Sequence, residues 1–135
     1  MSDPFLRLGT RGSPLAMAQA FETRDRLARA HGVDPARVEI VEIKVMGDQI
    51  QDRALAQAGG KGLFTRELDQ ALIDGAIDLA VHSAKDVPTF LPPEIDVVGY
   101  LPREDARDVF IGARGVRFSD IAPGAVIGSA SLRRQ

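Results

Sequence analysis

One stretch limits what this chain can fold into more than any other: Ile77-Asp78-Leu79-Ala80-Val81-His82-Ser83-Ala84-Lys85-Asp86-Val87-Pro88. It opens as a short apolar run with a β-branched residue at each end, Ile77 and Val81. It then turns abruptly polar, and Pro88 rules out a regular continuation. That is the pattern of a strand emptying into a loop. In an open α/β sheet, ligands bind just beyond the carboxyl ends of the strands. The stretch therefore puts a hydroxyl, an ammonium and a carboxylate at such an edge. The same residues also fit a solvated loop with a local Lys–Asp pair, since short motifs match by chance.

The preceding residues supply a matching frame. Phe5-Leu6-Arg7-Leu8-Gly9 alternates and reads as a first strand running into Thr10-Arg11-Gly12-Ser13-Pro14. Ser13 is a good N-cap and Pro14 falls at the first helical position, so a helix follows to about residue 30, with Gly32 as its stop. Its apolar side is Met17, Ala20, Phe21, Leu27 and Ala28. Residues 38–45 form a second strand whose apolar phase changes between Ile40 and Val41, as it does when both faces are covered. Strand, helix, strand argues for a parallel βαβ unit.

Residues 46–62 break the pattern. They carry Gly47, Asp48, Asp52, Gly59, Gly60, Lys61 and Gly62 with few large apolar side chains, and a loop of that length is expected to be a mobile flap. Its Gly-Gly-Lys-Gly end leads into a helix over 63–74 that buries Phe64, Leu68, Ala71 and Leu72. A glycine-rich helix entry holds anions in some proteins, but it also serves as a plain hinge. After the central stretch, further strands are predicted at 95–101, 109–111 and 125–127, with one helical turn at 119–121. The charge cluster Arg103-Glu104-Asp105-Ala106-Arg107-Asp108 reads as a solvated face.

Composition narrows the functions. A chain of 135 residues, 44% apolar and 27% charged, has the make-up of a soluble domain with a genuine core. Seventeen basic and nineteen acidic residues give a net charge of -2, which speaks against a general nucleic-acid or membrane binder. Without cysteine there is no disulfide, thiolate metal site or cysteine nucleophile. His31 and His82 show no spacing suited to a metal, so no metal is expected. No secretory signal and no run of transmembrane length is recognisable, and the cytoplasm is the default location.

Three predicted strands deliver polar groups at their carboxyl ends: Arg11 and Ser13; Ser83, Lys85 and Asp86; and Ser129, Ser131, Arg133 and Arg134, with Lys61 added by the loop. If those strands are parallel neighbours, the ends face one cleft suited to a ligand with several carboxylates or phosphates. Scattered surface charge is the alternative. Asp86 is the exception among the cations. Nearby positive charge favours the charged form of such a carboxylate, which is then placed to balance positive charge on a reacting ligand. His82, beside an apolar strand, reads as a hydrogen-bonded structural residue. His82 and Ser83 make no hydrolase triad, because there is no Gly-x-Ser-x-Gly elbow and adjacent strand residues point to opposite faces. Phe21 and Phe64 read as core.

Five motifs together resemble the porphobilinogen deaminase (hydroxymethylbilane synthase) family. They are Leu8-Gly9-Thr10-Arg11-Gly12-Ser13-Pro14-Leu15-Ala16, Gly59-Gly60-Lys61-Gly62-Leu63-Phe64, Ala80-Val81-His82-Ser83-Ala84-Lys85-Asp86-Val87-Pro88, Arg103-Glu104-Asp105 and Gly128-Ser129-Ala130-Ser131-Leu132-Arg133-Arg134-Gln135. They occur in the family's order across nearly the whole chain. The resemblance implies head-to-tail condensation of porphobilinogen to a linear tetrapyrrole with release of ammonia, in porphyrin biosynthesis. It implies three domains, the first two like type II periplasmic binding proteins. It also implies a dipyrromethane cofactor held by a thioether to a cysteine of the third domain. By position, Asp86 matches the catalytic aspartate. Arg11, Ser13, Ser83, Lys85, Ser129, Ser131, Arg133 and Arg134 match residues holding the acetate and propionate groups of cofactor and substrate. Phe64 matches an aromatic lying against a pyrrole ring, and Lys61 a loop lysine near the cleft.

Ser129 stands where the family pattern has threonine, and Ala130 where it has a second serine, so one hydroxyl is lost. On this reading residues 1–100 are the first domain, a mainly parallel sheet flanked by helices. Residues 101–135 are the crossover and incomplete start of a similar second domain, and the third domain is absent. The polypeptide is then truncated, carries no covalent cofactor and is inactive alone. The full enzyme would be a monomer, whereas an exposed half-sheet favours self-association of the fragment. A non-catalytic anion-binding module of the periplasmic type is the competing reading.

Overall fold

The computed structural model describes residues 3–49 and 62–129. Contacts divide the chain into two compact units, Met1–Leu101 and Pro102–Gln135. The first unit holds β1 (Leu6–Thr10), α1 (Pro14–His31), β2 (Val38–Glu42), the short α2 (Met46–Gln49), α3 (Arg66–Ile73) and β3 (Leu79–Ala80). The three strands form one parallel sheet in the order β2-β1-β3, with Leu8 opposite both Ile40 and Leu79. The predicted parallel βαβ unit is thus present.

Alternation along β1 sorts its side chains to two faces. Leu8 is fully buried in a cluster with Ala20, Ala28 and Val38, flanked by Leu6, Leu27, Val33, Ile40, Leu79 and Val81. Small alanines at positions 20 and 28 bring α1 close to the sheet. Local chemistry sets the ends of α1 as expected: Ser13 Oγ accepts from Ala16 N at 3.3 Å, Pro14 opens the helix, and Gly32 closes it. Phe21 departs from the expected core side; it is 43% exposed and lies under Arg24 instead. It sits at the margin of the helical stripe, outside the cluster that the small Ala20 and Ala28 join.

β3 has only two ladder pairs, and it is secured by more than its ladder. Asp78 N donates to Arg7 O at 2.9 Å and Val81 N to Gly9 O at 3.0 Å. The Arg7 guanidinium donates to both Asp78 carboxylate oxygens at 3.0 and 2.6 Å and to Gly75 O at 2.7 Å. That pairing holds the Asp78 carboxyl below the usual carboxylate range.

Several elements are shorter than their sequence patterns. β2 stops at Glu42 rather than 45: Ile43 N still donates to Thr10 O at 2.8 Å, but β1 ends there and offers no further partner. Val45 is buried all the same. The third helix starts at Arg66, not 63. Gly62, at φ 81°, opens a turn in which its carbonyl accepts from both Thr65 N and Arg66 N, so Leu63 and Phe64 lie in that turn. The expected flap begins as α2, and residues 50–61 lie outside the described residues.

The strands predicted at 95–101, 109–111 and 125–127 are not formed. Their apolar side chains are largely exposed, with Val98, Val109, Ile111 and Val126 each at least 79% accessible. Strand propensity needs a neighbouring backbone to take up its N–H and C=O groups, and these runs pair with none among the described residues. In the second unit the expected helical turn is present as a single 3-10 turn, Phe118–Asp120, entered with Arg117 N donating to Asp120 Oδ2 at 3.1 Å. There Phe110 and Phe118 meet edge to face at 5.6 Å, and the Asp105–Arg107 pair lies exposed, as its charge cluster predicts. Among the described residues no helix is long and apolar enough to cross a membrane.

Candidate functional site

Strand order decides where a site can form. From β1 the chain crosses through α1 to β2 on one side, then returns to β3 on the other. Sheets of this kind bind ligands in the crevice beyond the carboxyl ends of the strands where the order reverses. Here that crevice lies beyond β1 and β3. A cavity of about 190 Å³ opens there, lined by Arg11 and Ser13 after β1, Leu15, Ala16 and Gln19 on the first turns of α1, and Val81, His82, Ser83, Lys85 and Asp86 after β3.

Each side chain is placed by local geometry. Ser13 is held by capping α1, and its hydroxyl retains its own proton to donate. The chain leaves β3 into a 3-10 turn, Ala84–Asp86, in which Asp86 N donates to Ser83 O at 2.9 Å. The Ser83 hydroxyl donates to Gln19 Oε1 at 3.2 Å, tying this turn to α1. Arg11 Nη1 lies 3.7 Å from Asp86 Oδ2, with both side chains mostly sheltered. The Arg11 guanidinium also sits 4.1 Å from the centroid of the Phe64 ring, in cation–π contact. Phe64 is half-buried against this cation, so the expectation that it is plain core is corrected: its turn, rather than a helix face, aims the ring at Arg11.

His82 lines the same cavity. Burial pushes its imidazole below the ordinary histidine range; Asp69 and Asp86 oppose that shift, and Arg11 adds to it. The neutral form is therefore favoured in the fold. His82 and Ser83 both line the cavity because β3 has already ended at Ala80, so strand alternation no longer governs them.

A stability consequence follows for His82. In the unfolded chain its imidazole takes up a proton near the reference value of about 6.5. Below that pH the unfolded state binds the proton more readily, so the stability due to neutral burial is present above it and is lost as pH falls through it. Urea midpoints measured from about pH 8 down to about pH 5 should fall more steeply for the native chain than for His82→Gln. Parallel curves would contradict this.

Of the expected site residues, Arg11, Ser13, Ser83, Lys85 and Asp86 meet in one cavity, with Phe64 against Arg11. Ser129 is exposed in the second unit. Lys61, Ser131, Arg133 and Arg134 lie outside the described residues. Sequence reasoning passed over Gln19. Its signal was the spacing Ser13, Ala16, Gln19, which places the three on one helical face above the end of β1.

Fold and cavity together define an α/β protein with a cationic, hydroxyl-lined cavity at the carboxyl edge of a parallel sheet. The sequence model described as "Porphobilinogen deaminase, dipyromethane cofactor binding domain" matches residues 6–135. Porphobilinogen deaminase of Nitrobacter winogradskyi is 58% identical over 134 residues, 99% of this chain, and that of Nitrobacter hamburgensis is 57% identical over the same length. The chain spans 42% of the length of each of these relatives. It belongs to the porphobilinogen deaminase family.

Proposed function

We propose that this chain supplies one wall of the pyrrole-binding cleft of a porphobilinogen deaminase. The observation that carries the reading is that Arg11, Ser13, Ser83, Lys85 and Asp86 line one cavity, with Arg11 Nη1 3.7 Å from the Asp86 carboxylate. A pyrrole bearing acetate and propionate groups needs cations and hydroxyls for its rim and a carboxylate for its ring nitrogen or aminomethyl group. This donor set fits both porphobilinogen and a dipyrromethane cofactor. Bound, the cofactor provides the terminal pyrrole to which new units are joined. Arg11 and Lys85 take up side-chain carboxylates of the pyrroles, by paired hydrogen bonds and as a point charge respectively. Ser13 and Ser83 orient them by donating O–H. Asp86 balances the positive charge that develops on porphobilinogen as the C–N bond of its aminomethyl arm breaks, the amino nitrogen leaving as ammonia and the methylene carbon staying on the ring. Lys61, Ser129, Ser131, Arg133 and Arg134 complete the carboxylate-holding set, and Phe64 lies beside a pyrrole ring.

In this reading the first unit is a domain of the type II periplasmic-binding kind and the second unit begins its counterpart. The cofactor's thioether cysteine belongs to sequence other than these 135 residues, which contain no cysteine. The whole enzyme works as a cytoplasmic monomer. A colour assay for porphobilinogen tests the proposal. A polypeptide that continues this chain to the length of its relatives should consume porphobilinogen and release ammonia, and the 135 residues alone should not. A full-length protein without turnover would refute the assignment, and turnover by the 135 residues alone would show that they need no further sequence for activity.

A further inference from the structure

Arg11 is fixed from two sides, by Asp86 at 3.7 Å and by the Phe64 ring at 4.1 Å. What holds the ring is on a different element. Gly47, in α2, donates its N–H to Leu63 O at 3.1 Å, and Met46 N donates to Glu67 Oε1 at 3.0 Å. The start of α2 is thereby bound to the turn that carries Phe64 and to the first turn of α3. Gly47 is buried in this contact, and there is no room on its Cα. A Cβ there would lie 2.5 Å from Phe64 Cδ1 and 2.8 Å from the Leu63 carbonyl oxygen. Glycine inside a helix is otherwise disfavoured relative to alanine, and α2 has only four residues. The bare Cα at this position serves the close approach of the ring.

We propose that Gly47 is a positioning residue: by admitting the Phe64 ring against α2 it sets the ring over the Arg11 guanidinium, and so sets where Arg11 meets Asp86. The effect passes through Phe64, since a side chain at position 47 must push the ring toward or off the cation. It does not depend on which ligand the cavity takes.

The test is made on the whole chain, labelled with nitrogen-15, by following the Arg11 Nε–Hε resonance, identified by its loss in Arg11→Lys. A guanidinium lying against an aromatic ring has this signal displaced by the ring current. Phe64→Ala should return it to the position of an ordinary arginine, which measures the ring's full effect. Gly47→Ala should change the same displacement markedly, lowering it if the ring moves off the cation and raising it if the ring moves toward it. The double variant should match Phe64→Ala alone, because two changes that act through one contact do not add. An undisturbed Arg11 signal in Gly47→Ala, or a further shift in the double variant, overturns the proposal. Should Gly47→Ala fail to fold, the double variant decides. Recovery of a dispersed spectrum supports the ring as the obstruction; continued failure shows that the glycine serves the Leu63 carbonyl instead, and overturns it.

Discussion

Asp86→Asn, in a polypeptide that continues this chain to the length of its relatives, is expected to lower ammonia release from porphobilinogen by about two to three orders of magnitude, the usual cost of losing a group aimed at developing charge. The asparagine keeps the shape of the side chain and the 3-10 turn that positions it. What disappears is the only carboxylate that lines the cavity among the described residues. Carboxylate-bearing pyrroles should bind as well or better, because a repelling charge has gone from among the cations. The loss should therefore fall on kcat and leave KM unchanged or lower. Initial rates measured over a range of porphobilinogen concentrations separate the two. A variant that turns over normally but binds poorly would make Asp86 a ligand clamp, and a protein that merely holds anions would show no turnover to lose.

Leu8→Ala is expected to destabilise the chain by about 2–5 kcal/mol, as for other fully buried leucines. That is a large share of the roughly 5–15 kcal/mol that holds a domain folded. Leu8 is fully buried in the middle of the central strand, where it faces Ala20, Ala28 and Val38 and stands opposite Ile40 and Leu79 in register. A cavity there weakens contact with α1 and with both outer strands at once. The neighbouring alanines are too small to fill it. Urea unfolding should show a lowered midpoint, and the cavity beyond β1 and β3 should lose its shape together with the sheet. A midpoint within error of the native value would mean that the central strand is not what organises this fold. Phe90→Ala, at a side chain 87% exposed, provides the control and should change little.

The parts legible from residue order are those set within a few positions of the chain. Ser13 before Pro14, with Gly32 at the far end, defined α1 because caps and stops act over one helical turn. The apolar run after Asp78 marked β3, and its abrupt polar continuation marked the cavity wall, since a strand must empty somewhere. The same reasoning about strand ends named Arg11, Ser13, Ser83, Lys85 and Asp86, which line one cavity, and also Ser129, which is exposed in the second unit, and Ser131, Arg133 and Arg134, which lie outside the described residues. Propensity misled where a partner was required. Residues 95–101 have the composition of a strand, yet with no strand partner among the described residues they form none. Phe21 and Phe64 looked alike in sequence, and only their surroundings separated a partly exposed ring under Arg24 from a ring across Arg11.

Residue order by itself determined β1, α1 and the parallel βαβ unit in outline, the chemistry available at the strand ends, and the family to which the chain belongs. Tertiary structure decided how those ends come together. The strand order β2-β1-β3 brings position 11 beside position 86, and the turn opened by Gly62 sets Phe64 against their ion pair. The packing of Gly47 under that ring is likewise visible only in three dimensions. The reason is physical: caps, turns and alternation are short-range and written locally, whereas a cavity is made by groups far apart in sequence whose distances only the packed sheet determines.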